Sequence, residues 1–266
     1  MPTNCGSGSR LKPASVPDMN NANAATMPMS TPATALRDIA FYYDPISPYA
    51  YLAFERLPLA LMGHSVRVRY KPVLFAALLK AHGQLGPAEI PAKRDWTYRQ
   101  VSWLAHHHSV PLDLPAEHPF NPLALLRLGL ATATDDMPGE TSRYVTGQLF
   151  HHVWQGGHSA TDATRLAHLQ TLLQDHMAQR QQPWPHAQWP DSEVVKQRLR
   201  ANTDEALALG LFGVPALVMD SHVFWGLDAL PMLRDYLDGS PWFATGAWDA
   251  AARLPVGISR LPPQTR

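Results

Sequence analysis

The residues best suited to chemistry lie in one short segment, Phe41-Tyr42-Tyr43-Asp44-Pro45-Ile46-Ser47-Pro48-Tyr49-Ala50-Tyr51-Leu52. An aromatic, β-favouring run from Ile39 to Tyr43 meets a turn, and a helix starts at Ser47-Pro48. Ser is a preferred N-cap and Pro a preferred first helical residue. One hydroxyl therefore stands at the positive end of a helix, just past a strand end, where open α/β folds hold anions and thiolates. Such a hydroxyl can donate to a sulfur anion. It can also do no more than cap the helix, for about 1 kcal/mol. No Ser-His-Asp pattern accompanies it, so an acylating role is not expected.

Three further motifs place polar groups at element boundaries. Phe212-Gly213-Val214-Pro215 leads into a strand, where Pro is tolerated as the first residue and the Val214–Pro215 bond is a candidate cis peptide. Such a bond facing the first helix would offer the Val214 backbone to a ligand; a plain loop proline is the alternative. Pro119-Phe120-Asn121-Pro122 puts Asn121 at a helix entrance, as an N-cap or as a ligand contact. Trp225-Gly226-Leu227-Asp228 puts a carboxylate near a helix start, where it is stabilised or can grip an ammonium group. Lys93 and Arg94 open another helix, as carboxylate ligands or as a solvated face.

The 13 histidines include His106-His107-His108 and His151-His152. Adjacent helical residues diverge in direction, so these runs cannot share one coordination sphere, and no metal site is expected. Trp96, Trp103 and Trp154 are expected to pack among helices.

These residues need elements to hold them. Ile39–Tyr43, a helix over Ser47–Leu61 and the alternating run Val66–Tyr70 form a β-α-β unit. Helical patterns follow over Val73–Ala81, Ala92–Ser109, Pro122–Ala133, Thr141–Trp154, Ala160–Gln179 and Ser192–Leu209, between proline-punctuated loops. Ala216–Met219, the turn Asp220-Ser221 and His222–Trp225 predict a hairpin, and Asp228–Leu237 a last helix. The fold class is α/β, a thioredoxin-like domain interrupted by a large all-helical insertion. The expected divisions are an irregular, disordered tail over 1–36, the thioredoxin-like domain over 37–73 and 200–240, the insertion over 74–199 and an irregular extension over 241–266 that packs some Trp and Leu against the domain. Met27 or Met29 is a candidate start, which would remove most of the tail.

Bulk properties narrow the function. The chain has 266 residues, 45% hydrophobic, enough for a core of one or two domains. Its 22 basic and 22 acidic side chains cancel, so no field favours nucleic acid or anionic membrane. No apolar run is long enough to span a bilayer, and no compact secretory h-region is present. Cys5 stands alone, which excludes an intrachain disulfide, a Cys-x-x-Cys dithiol oxidoreductase and thiolate zinc sites, and suits a reducing, cytoplasmic location.

Taken together, the motifs resemble the 2-hydroxychromene-2-carboxylate isomerase family, within the DsbA-like, kappa-class glutathione transferase group. The resemblance rests on the segment 41–51, Pro87-Ala88-Glu89-Ile90-Pro91-Ala92-Lys93-Arg94, Pro119-Phe120-Asn121-Pro122-Leu123-Ala124, Phe212-Gly213-Val214-Pro215 and Phe224-Trp225-Gly226-Leu227-Asp228, in that order over 37–240. It implies glutathione as cofactor, a small aromatic carboxylate as substrate, a homodimer, and isomerisation of a chromene acid in aromatic catabolism. It implies that Ser47 faces the glutathione sulfur, with Asn121 near that sulfur. Val214, before Pro215, pairs with the cysteinyl part, and Asp228 holds the γ-glutamyl end. Lys93 and Arg94 are candidates for the substrate carboxylate. Where the family has Asn or Ser before that Asp and Arg after it, this chain has Leu227 and Ala229. Leu227 keeps a backbone N–H for the ligand but lacks a side-chain hydrogen bond, worth about 1 kcal/mol.

The implied chemistry begins with a thiol of pKa about 8.5, mostly protonated at neutral pH. A Ser47 hydrogen bond and the helix dipole would favour the anion. Addition of the thiolate to a conjugated carbon, rotation and elimination would then isomerise the substrate. A transferase that releases the adduct, and a non-catalytic DsbA-like binding protein, share these motifs.

Overall fold

The computed structural model describes residues 36–182, 184 and 189–257. The expected disordered tail lies outside them, except for Leu36, as does most of the loop over 183–190. The sheet has four strands in the order β2-β1-β3-β4: β1 Arg37–Tyr43, β2 Val66–Pro72, β3 Ala216–Met219 and β4 His222–Trp225. β1 runs parallel to β2, with Phe41 opposite Tyr70, and antiparallel to β3, with Phe41 opposite Leu217. β3 and β4 form the expected hairpin through Asp220 and Ser221, both at positive φ.

β1 is central, so both of its faces are covered and its period-two pattern collapses into a buried run at Phe41-Tyr42-Tyr43. One face meets α1 (Pro48–Ala60) and α5 (Arg143–Trp154). Rings interlock there: Tyr43 and Phe54 each lie 5.3 Å from Phe150, centroid to centroid, and Phe54 lies 5.8 Å from Tyr70. Aromatic pairs at such distances add about 0.5–1.5 kcal/mol beyond the area they bury. The other face meets α2 (Phe75–Ala81) and α7 (Glu193–Ala208) through Tyr42, Leu78, Ala206 and Ala216. Buried Lys71 reaches Glu205 across this face, and Tyr42 donates to the same carboxylate at 2.8 Å.

Between β2 and β3 the chain is helical: α2, α3 (Pro91–His108), α4 (Leu123–Ala131), α5, α6 (Ala163–Gln179) and α7. This is the helical insertion that the sequence predicted between the two halves of the sheet. Three of these helices start on side-chain caps, from Ser142, Asp162 and Ser192. Among the described residues no helix is long and apolar enough to cross a membrane.

Two expectations need correction. Trp154 is fully buried, but Trp96 and Trp103 are 63% and 58% exposed, because α3 turns both towards solvent. The extension beyond residue 240 packs a Trp against the domain as expected but is not irregular: a 3-10 turn over Pro241–Thr245 leads into α9 (Ala247–Ala252). Its Phe243 and Trp248 pack on Phe224, His222 and Tyr236, so aromatic stacking orders it, while Leu254 stays exposed. α8 (Leu230–Leu237) follows a 3-10 turn at Leu227–Ala229 that contains Asp228.

Candidate active-site cleft

The turn before α1 is clamped from several sides. Asp44 is fully buried; its two carboxylate oxygens accept the N–H groups of Ile46 at 3.1 Å and Phe75 at 3.0 Å. Burial pushes the Asp44 carboxyl up to about 7, against those two hydrogen bonds. Trp154 Nε1 donates to the Pro45 carbonyl at 2.8 Å. His118 Nε2 donates to the Ile46 carbonyl at 2.8 Å, and its Nδ1 accepts from Tyr98 Oη at 2.8 Å. A ring that accepts at one nitrogen and donates at the other is neutral, and burial accordingly holds the His118 pKa low.

Ser47 emerges from this clamp as the N-cap of α1, in extended backbone geometry (φ −88°, ψ 116°) with Pro48 first in the helix. Its Oγ accepts from Ala50 N at 3.2 Å and donates to the Val214 carbonyl at 3.3 Å. The cap is therefore made, and the hydroxyl proton is held on a weak, long bond that a better acceptor can take.

The Val214–Pro215 peptide is cis, as the sequence suggested; His118–Pro119 is also cis, which it did not. Val214 N–H has no partner among the described residues. Pro215 carbonyl accepts from Gly226 N at 2.9 Å, which ties the strand entrance to the loop carrying Leu227 and Asp228. Gly226 has φ +94°, and a Cβ there would press on the Asp228 carboxylate, so glycine is required.

One cleft of about 1250 Å³ joins these parts. Ser47, Val214, Pro215, Leu227, Asp228 and Lys93 all line it. Asn121 and Arg94 do not. Asn121 is exposed, and its Oδ1 accepts from Leu123 N at 3.1 Å, a capping bond made one residue before Pro122, which stands at the boundary of α4. Arg94 follows Lys93 by about 100° around α3, and its guanidinium lies 5.9 Å from the Tyr98 ring centre. Residues not singled out in the sequence also line the cleft, among them Asp44, Tyr49, Gln84 and His118. Tyr49 Oη donates to Gln100 at 2.7 Å; burial raises its pKa, and the negative charge of Asp228 adds to that. Tyr49 and Asp44 sit inside the segment around Ser47 and were legible as neighbours. Gln84 and His118 carried no local signal.

Of the histidine runs, only His108 lines the cleft. His151 pairs with Glu55 at 3.0 Å, His152 bonds the Ala160 carbonyl at 3.0 Å, and His107 stacks on Trp103. Among the described residues no three His, Cys, Asp or Glu side chains are grouped to hold a metal ion.

Comparison with known proteins gives a consistent picture. Residues 38–238 match the family model of the DSBA-like thioredoxin domain. Glutathione S-transferase kappa 1 of Rattus norvegicus is 25% identical over 234 residues, which are 83% of this chain and 99% of the relative. The 2-hydroxychromene-2-carboxylate isomerase of Pseudomonas sp. (strain C18) is 26% identical over 208 residues, 76% of this chain and 91% of the relative. Among solved structures, a 2-hydroxychromene-2-carboxylate isomerase superposes with a TM-score of 0.59 at 20% identity, covering 79% of this chain and 98% of that one.

Proposed function

We propose, on the premise that this chain belongs to the DSBA-like thioredoxin-domain family, that it is a glutathione-dependent isomerase of conjugated aromatic acids of the 2-hydroxychromene-2-carboxylate type. The observation that carries this is the convergence of Ser47, the Val214 backbone and Asp228 on one cleft. Each suits one part of the tripeptide. Val214 N–H is an unpaired donor for the cysteinyl carbonyl, and Asp228 is an exposed carboxylate for the γ-glutamyl ammonium. Ser47 is a donor at a helix N-terminus for the sulfur. The cleft exceeds the roughly 300–1,000 Å³ of ordinary small-molecule pockets, which suits a tripeptide and a second molecule side by side.

When bound, glutathione supplies a thiolate that adds reversibly to a conjugated carbon, so the former double bond can turn before the thiolate leaves. The chain's own residues set the conditions. Ser47 turns its proton from Val214 to the sulfur, and the first turn of α1 adds its dipole. Lowering a thiol pKa of about 8.5 by two units needs about 3 kcal/mol, within reach of those two effects. His118 and Trp154 hold the turn, and Tyr49 and Leu227 line the space around the reacting carbon.

The test replaces Ser47 with Ala and measures glutathione affinity by calorimetry together with turnover of 2-hydroxychromene-2-carboxylate. Binding should persist within a few fold while the rate falls about 100-fold, as when one anion-stabilising donor is removed. An unchanged rate with only a lower melting temperature would leave Ser47 as a cap and end the proposal. The equal similarity to kappa transferases makes product analysis the second measurement. A released glutathione adduct would mean transfer; recovered glutathione and an unmodified isomer would mean isomerisation.

A further inference from the structure

The cleft continues well past the sulfur position, and its far end is basic. On α1, Tyr49, Arg56 and Ala60 line it; on α3, Thr97, Gln100, Leu104 and His108 do. These spacings of three, four and seven put each set on one helix face. Leu230 and Pro231 of α8 close the third side. Two facing helix stripes with a third wall make a trough, whose lining sets Leu104, Leu227, Leu230 and Pro231 beside the polar Thr97 and Gln100.

Arg56 stands in this trough half-buried, with no ion pair or hydrogen bond to the described residues. Arg234, also lining the cleft, is committed: it bonds Asp238 at 2.9 Å and the Ala60 carbonyl at 3.3 Å. Glu55, the neighbouring acid on α1, is committed to His151. His108 lines the same cleft as Arg56, and burial first, then the arginine's charge, lower its pKa. An arginine without an ionic partner among the described residues and an imidazole thus share one wall of the cleft. Arg56 lies nine residues beyond Ser47, about 13 Å along α1 at 1.5 Å per residue.

We propose that Arg56 and His108 bind the carboxylate of an elongated apolar acid whose reactive carbon sits at Ser47. This goes beyond the function proposed above and rests on it only for the thiol chemistry at Ser47. The carboxylate of a ring-opened chromene acid lies only two carbons from its alkene, so such an acid fills the Ser47 end alone. An acid with about 10 Å of hydrocarbon between electrophile and carboxylate reaches both ends, given the helix rise. Burying that hydrocarbon contributes per CH₂, and the guanidinium–carboxylate pair fixes the direction of binding.

The experiment uses unreactive probes on the full chain: phenylacetate, 4-phenylbutyrate and 8-phenyloctanoate, titrated by calorimetry. Affinity should rise with length, by tenfold or more from the first to the last. The methyl ester of 8-phenyloctanoate should bind about tenfold more weakly than the acid, and Arg56→Gln should cause a similar loss, as expected for a charge-assisted bond. Arg99→Gln, on the exposed side of α3, controls for net charge and should change nothing. Equal affinity for acid and ester in the wild-type protein, or affinity that ignores length, would overturn the proposal without reliance on any variant. Glutathione titrated into the same samples separates the two claims. Lost glutathione binding with intact acid binding would remove the thiol chemistry and leave this site standing.

Discussion

Ser47 Oγ donates to the Val214 carbonyl at 3.3 Å, joining the start of α1 to the entrance of β3 across 167 residues of sequence. The same oxygen accepts from Ala50 N. One hydroxyl therefore caps a helix, tethers the opposite wall of the cleft and keeps a proton available for a ligand anion.

Removing that hydroxyl should be felt in the folded chain itself. Ser47→Ala should lower stability in urea by about 1–2 kcal/mol, the cost of a lost cap with one further bond. Bound glutathione should also ionise at higher pH in the variant. The thiolate ultraviolet band, followed against pH, should shift upward by about one unit. No shift would mean that the helix dipole alone holds the anion.

Gly226 and Asp228 form a second test. Gly226→Ala places a Cβ against the Asp228 carboxylate at φ +94°, and should cost about 1–3 kcal/mol of stability. It should weaken glutathione binding as well. Asp228→Asn should weaken binding about tenfold, the scale of a lost charge-assisted bond, and leave the melting temperature within a degree or two. Wild-type affinity in Asp228→Asn would place the γ-glutamyl end elsewhere.

His118 acts on the reaction through the turn it holds. His118→Ala leaves the Ile46 carbonyl without its donor and the Tyr98 hydroxyl with only the backbone carbonyl of residue 118, at 3.2 Å, and should cost about 1–3 kcal/mol. Turnover should fall more than glutathione affinity, because Ser47 is displaced while Val214 and Asp228 stay. His118→Gln, which can donate again, should recover part of the rate. Equal losses in rate and affinity would make His118 a general packing residue.

Asp44 predicts a pH profile. Its carboxyl is held near 7 by burial, against about 3.9 in the unfolded chain. The folded state therefore binds its proton more tightly. Between those two values the unfolded chain carries fewer protons, so stability falls as pH rises from about 4 to about 7 and is level above. The loss attributable to Asp44 is on the order of 4 kcal/mol. Urea unfolding between pH 5 and 8 should show the wild type losing stability relative to Asp44→Asn as pH rises, because the buried neutral His118 and His152 give both proteins the same opposite slope. The same pH dependence in wild type and Asp44→Asn would show that Asp44 is ionised in the fold.

Much of this architecture is legible locally. Ser47-Pro48 announces a helix start because a capping hydroxyl and a fixed φ act within one turn, and α1 begins at Pro48. The alternation at Val66–Tyr70 and the hairpin around Asp220-Ser221 are short-range patterns that pairing preserves. Asn121 and Arg94 show the limit of such signals. Each stands beside cleft-lining residues, yet one step along a helix or loop turns a side chain by about a quarter circle or more. Trp96 and Trp103 show another limit: a large apolar residue is not obliged to be buried.

By itself the sequence determined the elements, the cap at Ser47, the lone cysteine that bars dithiol chemistry and the motif order that marks the family. Only tertiary structure decided which side chains share the cleft. Arg56, His108, Gln84 and Asp228 come from four separate segments, and no short-range rule relates them. Their meeting depends on how α3 and α8 pack on α1, and α1 on the sheet. Packing is a sum over many distant, individually weak contacts, which local propensity does not contain.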